Sequence, residues 1–162
     1  MKEISISVKD MVELLYGSGN ISSTKNLLQR AQEGTDIHKY WQNQYLETDK
    51  KEVVCQIKYE HEDFTLSIQG RIDGVLFRDD QIIIEEIKST HLDFDQLEID
   101  TKPSHLAQAK IYAYIYANTN GLKKINILLT YIQVSDLKVK QFDKSFTLKQ
   151  LESYYLKTIN KY

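Results

Sequence analysis

The chain has 162 residues, of which 41% are hydrophobic and 27% charged, values that suit one compact domain over residues 1–162 rather than a disordered chain. Its single cysteine, Cys55, excludes an internal disulfide and a four-cysteine iron–sulfur cluster, and fits a reducing, cytoplasmic setting. The net charge of −2 hides an asymmetry: residues 1–100 hold 11 Lys+Arg against 20 Asp+Glu, whereas residues 101–162 hold 10 Lys against 3 acids, so the C-terminal part suits an anionic partner.

The opening stretch MKEISISVKDMVELLYGSG has no unbroken apolar core, so it does not read as a signal peptide. No run approaches the roughly 20 apolar residues of a membrane span. Ser7 is placed to cap a helix with Val8, Met11, Leu14 and Leu15 at helical spacing, stopped at Gly17-Ser18-Gly19. Ser22 or Ser23 starts a longer helix through Leu27, Leu28, Ala31, Ile37, Trp41 and Tyr45, interrupted near Gly34. From Glu52 the period changes to two. Val54, Gln56 and Lys58, then Phe64, Leu66 and Ile68, alternate around a turn at His61-Glu62-Asp63. Ile72, Val75 and Phe77 carry the strand past two glycines, Asp79-Asp80 turns it, and Gln81–Ile87 reads as a buried central strand. Residues 89–103 are a polar loop, and Ser104 caps a helix over His105–Ala117. Lys124–Gln133 and Lys138–Phe142 are strands, and Thr147 starts a last helix over Leu148–Asn160. The order α-α-β-β-β-α-β-β-α predicts an α/β sandwich with a mixed sheet between helices.

Four features carry candidate chemistry. Gly70-Arg71-Ile72-Asp73-Gly74 sets an acid between glycines, which let a backbone or ligand come close. Ile82-Ile83-Ile84-Glu85-Glu86-Ile87-Lys88 ends an apolar strand in acids and a lysine; Glu86 and Lys88 share one face and Glu85 takes the other. Gln108 and Tyr112 lie one helical turn apart. Gly34-Thr35-Asp36-Ile37-His38 offers an imidazole that suits a carboxylate-rich metal site. Taken singly, each has a plainer reading: a β turn, a cross-strand charge pair, a polar helix edge and a surface histidine.

Together and in this order, Gly34…His38, Gly70…Asp73, Glu86…Lys88 and Gln108…Tyr112 resemble the PD-(D/E)XK nuclease superfamily, specifically its RecB-like branch, over about residues 24–135. The segments ISISVKDMVELLYGSGNI and HLAQAKIYAYIYA are similar to the N-terminal nuclease module of bacterial DinG-like or XPD-like helicases, although the chain has no phosphate-binding glycine loop and so no motor of its own. The resemblance implies a restriction-endonuclease-like αβββαβ core and metal-dependent hydrolysis of DNA, with a helicase domain as partner in cis or in trans. It implies Mg2+ or Mn2+ held by His38, Asp73, Glu86 and the backbone carbonyl of Ile87. Many RecB-like nucleases add four cysteines that hold an iron–sulfur cluster; with Cys55 alone, no iron–sulfur cluster is expected here. Lys88 then orients or deprotonates the attacking water, and Gln108 and Tyr112 position Lys88 or the phosphate. Arg71, Lys102, Lys110, Lys123 and Lys124 are candidate DNA contacts. Tyr114 and Tyr116 are candidates for base stacking, with core packing expected for at least one of them. Two rivals stand beside this reading: a DNA-binding module of the same fold without catalysis, and an unrelated α/β interaction domain.

Overall fold

A computed structural model of the chain describes residues 2–17, 24–99 and 101–162. Its elements in chain order are β1 (Lys2–Ser7), α1 (Val8–Tyr16), α2 (Thr24–Gln42), β2 (Lys50–Glu60), β3 (Phe64–Arg78), β4 (Gln81–Thr90), a short 3-10 turn (Phe94–Gln96), α3 (Pro103–Thr119), β5 (Lys124–Gln133), β6 (Val139–Thr147) and α4 (Leu148–Lys161). The six strands form one mixed sheet in the order β1-β3-β4-β5-β6, with β2 on the other edge of β3. Helix α2 covers one face, where Ile37 packs on Ile87 and Ile132. Helices α1, α3 and α4 cover the other, over a core that includes Met11, Ile68, Ile84, Ile111, Ile127 and Leu151. This is the predicted α/β architecture with its αβββαβ core and mixed sheet flanked by helices.

Most local rules are visible in the geometry. Ser7 Oγ accepts the Asp10 N–H at 3.0 Å, as a capping serine should. Thr147 and Gln150 complete a reciprocal capping box at the start of α4. Helix α3 is buried nearly all round, with Ala107, Ala109, Ala113 and Ala117 letting sheet and helices approach it closely.

Six expectations change. Strand β6 runs to Thr147 and not to Phe142, and α2 ends at Gln42, before Tyr45. Residues 2–7 form a strand parallel to β3, which the sequence does not signal because Ile4 and Ile6 alternate with serines over too short a run. Helix α2 runs through Gly34 without a break. Helix α3 begins at Pro103, whose fixed φ suits a first helical turn, and its N-cap is Lys102, not Ser104. Strand β4 continues to Thr90, so the following loop is shorter than predicted. Ser18, Gly19, Ser22 and Ser23, read as helix stop and start, lie outside the described residues.

A candidate active site at a fork in the sheet

The sheet opens where the candidate residues converge. β1 pairs with β3 from Phe64 to Gln69, and β4 pairs with the same edge of β3 from Gly74 to Arg78. The edge between residues 69 and 74 therefore has no ladder partner, while β2 lines the opposite edge. Asp73 sits in this gap. Its Oδ2 accepts the backbone N–H of Ile87 at 2.8 Å, so a side chain satisfies the donor. The sequence reading used the carbonyl of Ile87; the observed contact to the site is through its N–H.

Glu86 and Lys88 point together to the α3 side. Lys88 Nζ lies 3.3 Å from Glu86 Oε2 and donates to Gln108 Oε1 at 2.9 Å. Gln108 Nε2 in turn reaches Tyr112 OH at 3.4 Å. Tyr112 lies against Gly70, where an added Cβ would come within 2.6 Å of its ring, so the glycine makes room for a side chain and not for backbone or ligand. Gly74 does the same for Tyr45, whose hydroxyl would clash with any Cβ there. From the α2 side, His38 Nδ1 approaches Asp73 Oδ1 at 3.7 Å. The structure thus brings His38, Asp73, Glu86, Lys88, Gln108 and Tyr112 into one constellation.

Its electrostatics suit a cation. The carboxyl groups of Asp73 and Glu86 are both buried, and each opposes the other's negative charge. Burial pushes both up; Lys88 pulls Glu86 down and Asp73 pushes it up, leaving it at about 8. Two buried carboxyls that resist sharing negative charge are what a hard divalent ion would relieve, and oxygen donors are what such an ion prefers. Among the described residues no three His, Cys, Asp or Glu side chains form a ready-made cage. An ion held by Asp73 and Glu86 would complete its shell with His38, backbone, water or substrate, as Mg2+ commonly does.

Two residues at the site escaped the sequence reading. Gln42 is buried, and its Nε2 donates to the Asp73 carbonyl and to Glu52 Oε1, each at 2.9 Å. It follows His38 by one helical turn on the same face, a spacing that could have revealed it. Glu52 lies across from Asp73 with φ +55, an uncommon conformation for a residue with a side chain, costing about 1–2 kcal/mol; no sequence signal marks it. Gln42→Ala leaves the buried Asp73 carbonyl without this donor and is expected to cost about 1–3 kcal/mol in urea unfolding.

Glu85 is on the opposite face, as alternation predicts. It is buried, and it accepts hydrogen bonds from Trp41 Nε1 and from the hydroxyls of Tyr45 and Thr130. Burial raises its carboxyl while these donors lower it. Glu85→Ala strands all three donors, so we expect a loss on the order of 3 kcal/mol in denaturant unfolding; a loss within 0.5 kcal/mol, as an ordinary surface change gives, would remove its structural role.

The candidate DNA contacts separate. Arg71 is exposed two residues before Asp73, and Lys102 is exposed at the start of α3. Lys123 and Lys124 are exposed at the start of β5, level with the start of β4 and roughly 20 Å from Lys88 at 3.3 Å per residue. Lys110 is held over the rings of Tyr154 at 4.4 Å and Phe146 at 5.4 Å, and burial lowers its pKa. Tyr114 is buried and stacked on Tyr155 at 4.6 Å, so it has no face free for a base, and Tyr116 packs partly buried against the core.

The family model of the PD-(D/E)XK nuclease superfamily matches residues 13–160, which removes the unrelated interaction domain as a reading. Among solved structures, that of SSO0001 is similar, with a TM-score of 0.59 at 17% identity, covering 98% of this chain and 76% of the other. A phage-related exonuclease from Haemophilus somnus aligns with a TM-score of 0.46 at 14% identity, over 94% of this chain and 76% of the other. Rai1 from Candida albicans, in complex with pU5 and Mn2+, aligns with a TM-score of 0.36 at 12% identity, over 93% of this chain and 54% of the other. No curated protein matches in sequence. Among the described residues, no helix is long and apolar enough to cross a membrane.

Proposed function

This chain belongs to the PD-(D/E)XK nuclease superfamily, whose members generally use divalent metal ions, and from that premise we propose that it is a Mg2+- or Mn2+-dependent deoxyribonuclease of the RecB-like branch. The observation that carries this reading is the buried Asp73–Glu86 carboxyl pair at the fork of the sheet, with Lys88 fixed beside it. We read residues 1–162 as one cytoplasmic nuclease domain acting in DNA repair or recombination in an exonuclease-type role. The similarity of its opening segment to helicase-linked modules supports a helicase partner in cis or in trans.

Asp73 and Glu86 would hold the ion, with His38 and the Ile87 carbonyl as further ligands. When bound, a dication there acidifies a water and offsets charge building on the phosphate. Lys88 Nζ, held between Glu86 and Gln108, orients the attacking water and stabilises the phosphoryl oxygens as negative charge grows on them. Tyr112 braces Gln108 and so acts through Lys88 as a positioning residue. Arg71 and Lys102 contact DNA phosphates near the scissile bond, and Lys123 and Lys124 contact the strand further away.

The test is cleavage of end-labelled single- and double-stranded DNA in Mn2+, with Lys88→Ala as control. Cleavage by the parent alone supports the reading. DNA retention on a filter without cleavage by the parent would leave the binding module of the same fold.

A further inference from the structure

Beside Lys88, where β4 runs out between α2 and α3, lies a cavity of about 310 Å³ that the mechanism above does not use. Ser89 and Thr90, the two residues after Lys88, line it, as does Tyr131, which sits level with Lys88 on the neighbouring strand. We infer that this cavity is a subsite for one unpaired nucleotide next to the scissile phosphate, so that single-stranded ends are the substrate; the inference rests on the nuclease reading.

Size, wall chemistry and position point the same way. The volume sits at the low end of ligand sites, roughly 300–1,000 Å³, enough for one nucleotide and too little for a base pair. Leu92 and Leu97 supply an apolar wall for a base, and Leu97 is almost wholly buried although it belongs to a loop. His105 Nδ1 and Tyr131 OH are joined at 2.8 Å in the cavity wall. Burial and the nearby Lys88 and Lys102 charges keep the His105 imidazole neutral, at about 3. A neutral imidazole–phenol pair presents a donor and an acceptor, which suits the edge of a base better than a bare phosphate. The positive groups are Arg30 and Lys102, placed for the nucleotide's phosphate, while the acidic lining residue Glu33 is already tied to His91 at 3.1 Å. A base in a duplex has its pairing edge and both faces occupied, so it enters only after being unpaired and unstacked, at a cost of a few kcal/mol.

The decisive measurement scans an abasic residue along an end-labelled single strand and follows each bond's cleavage by the parent chain in Mn2+. The bond beside the abasic residue is expected to be cut about tenfold more slowly than in the intact strand, the size of losing one base contact. A blunt duplex of the same sequence is expected to be cut more slowly than the single strand. In His105→Leu, shown folded by its thermal melt, the abasic penalty should shrink below about twofold; should that variant not fold, the scan on the parent decides alone. Cleavage with no abasic penalty, or with duplex and single strand cut equally fast, overturns the subsite and leaves the nuclease standing. No cleavage of any substrate overturns the nuclease reading and the subsite with it.

Discussion

Lys88→Ala is expected to lower Mn2+-dependent DNA cleavage by about a thousandfold while leaving the fold intact. The side chain is 21% exposed and touches the carboxylate of Glu86 and the amide of Gln108, so its loss leaves no cavity in the core. What is lost is a positive charge aimed at the reacting phosphate, and removing one preorganised donor of this kind costs about 10²–10³ in rate. Removing a group that also orients the water adds to that. Lys88→Arg is a sharper variant, because it keeps the charge but replaces a point ammonium by a planar fork that cannot reproduce the contact to Gln108. Gln108→Ala should show a smaller loss, since it frees Lys88 without removing it. Cleavage by Lys88→Ala at the parent's rate would displace Lys88 from the reaction.

The site was legible where residue spacing maps directly onto direction. Alternation in a strand sends Glu86 and Lys88 to one face and Glu85 to the other, and the structure has them so. One helical turn aligns Gln108 with Tyr112. What spacing cannot carry is contact across the chain. Gln42 and Glu52 meet Asp73 only because α2 and β2 pack on either side of the fork; Gln42 shows no more than its one-turn spacing from His38, and nothing in the local context of Glu52 announces the contact. The same holds for the glycines flanking Asp73. Their presence in a strand signals a close approach, but Tyr112 and Tyr45 as the approaching groups come from helices and turns far away in sequence. Lys110 shows the same limit from the other side. As one lysine in a basic region it reads as a phosphate contact, and spacing gives no hint of the two aromatic rings that tertiary packing sets beneath it. Strand β1 was missed because Ile4 and Ile6 are too few to establish a period, and its pairing with β3 is a long-range event.

Metal-free protein should lose stability as pH rises from about 4.5 to about 8, and the Asp73–Glu86 pair is the reason. An unfolded glutamate titrates near the ordinary 4.5, whereas burial, opposed by Lys88 and reinforced by Asp73, raises Glu86 to about 8 in the fold. Between those values the folded state holds the proton and the unfolded state does not. Stability is therefore full below the lower value and falls as pH passes toward the higher one, by up to about 1.4 kcal/mol per pH unit for one proton. Asp73, also raised by burial, moves in the same direction. The ion and the proton compete for the same oxygens, so Mn2+ affinity and cleavage should both rise through this window. Glu86→Gln separates the two effects. It removes the charge that the fold resists, so the metal-free variant should keep its unfolding midpoint to higher pH than the parent, yet bind Mn2+ weakly and cleave no DNA. Thermal melts across this window, with and without Mn2+, read both. A metal-free parent whose midpoint climbs from 4.5 to 8, or a Glu86→Gln variant with the parent's pH slope, would show that Glu86 is not the group that the fold holds protonated.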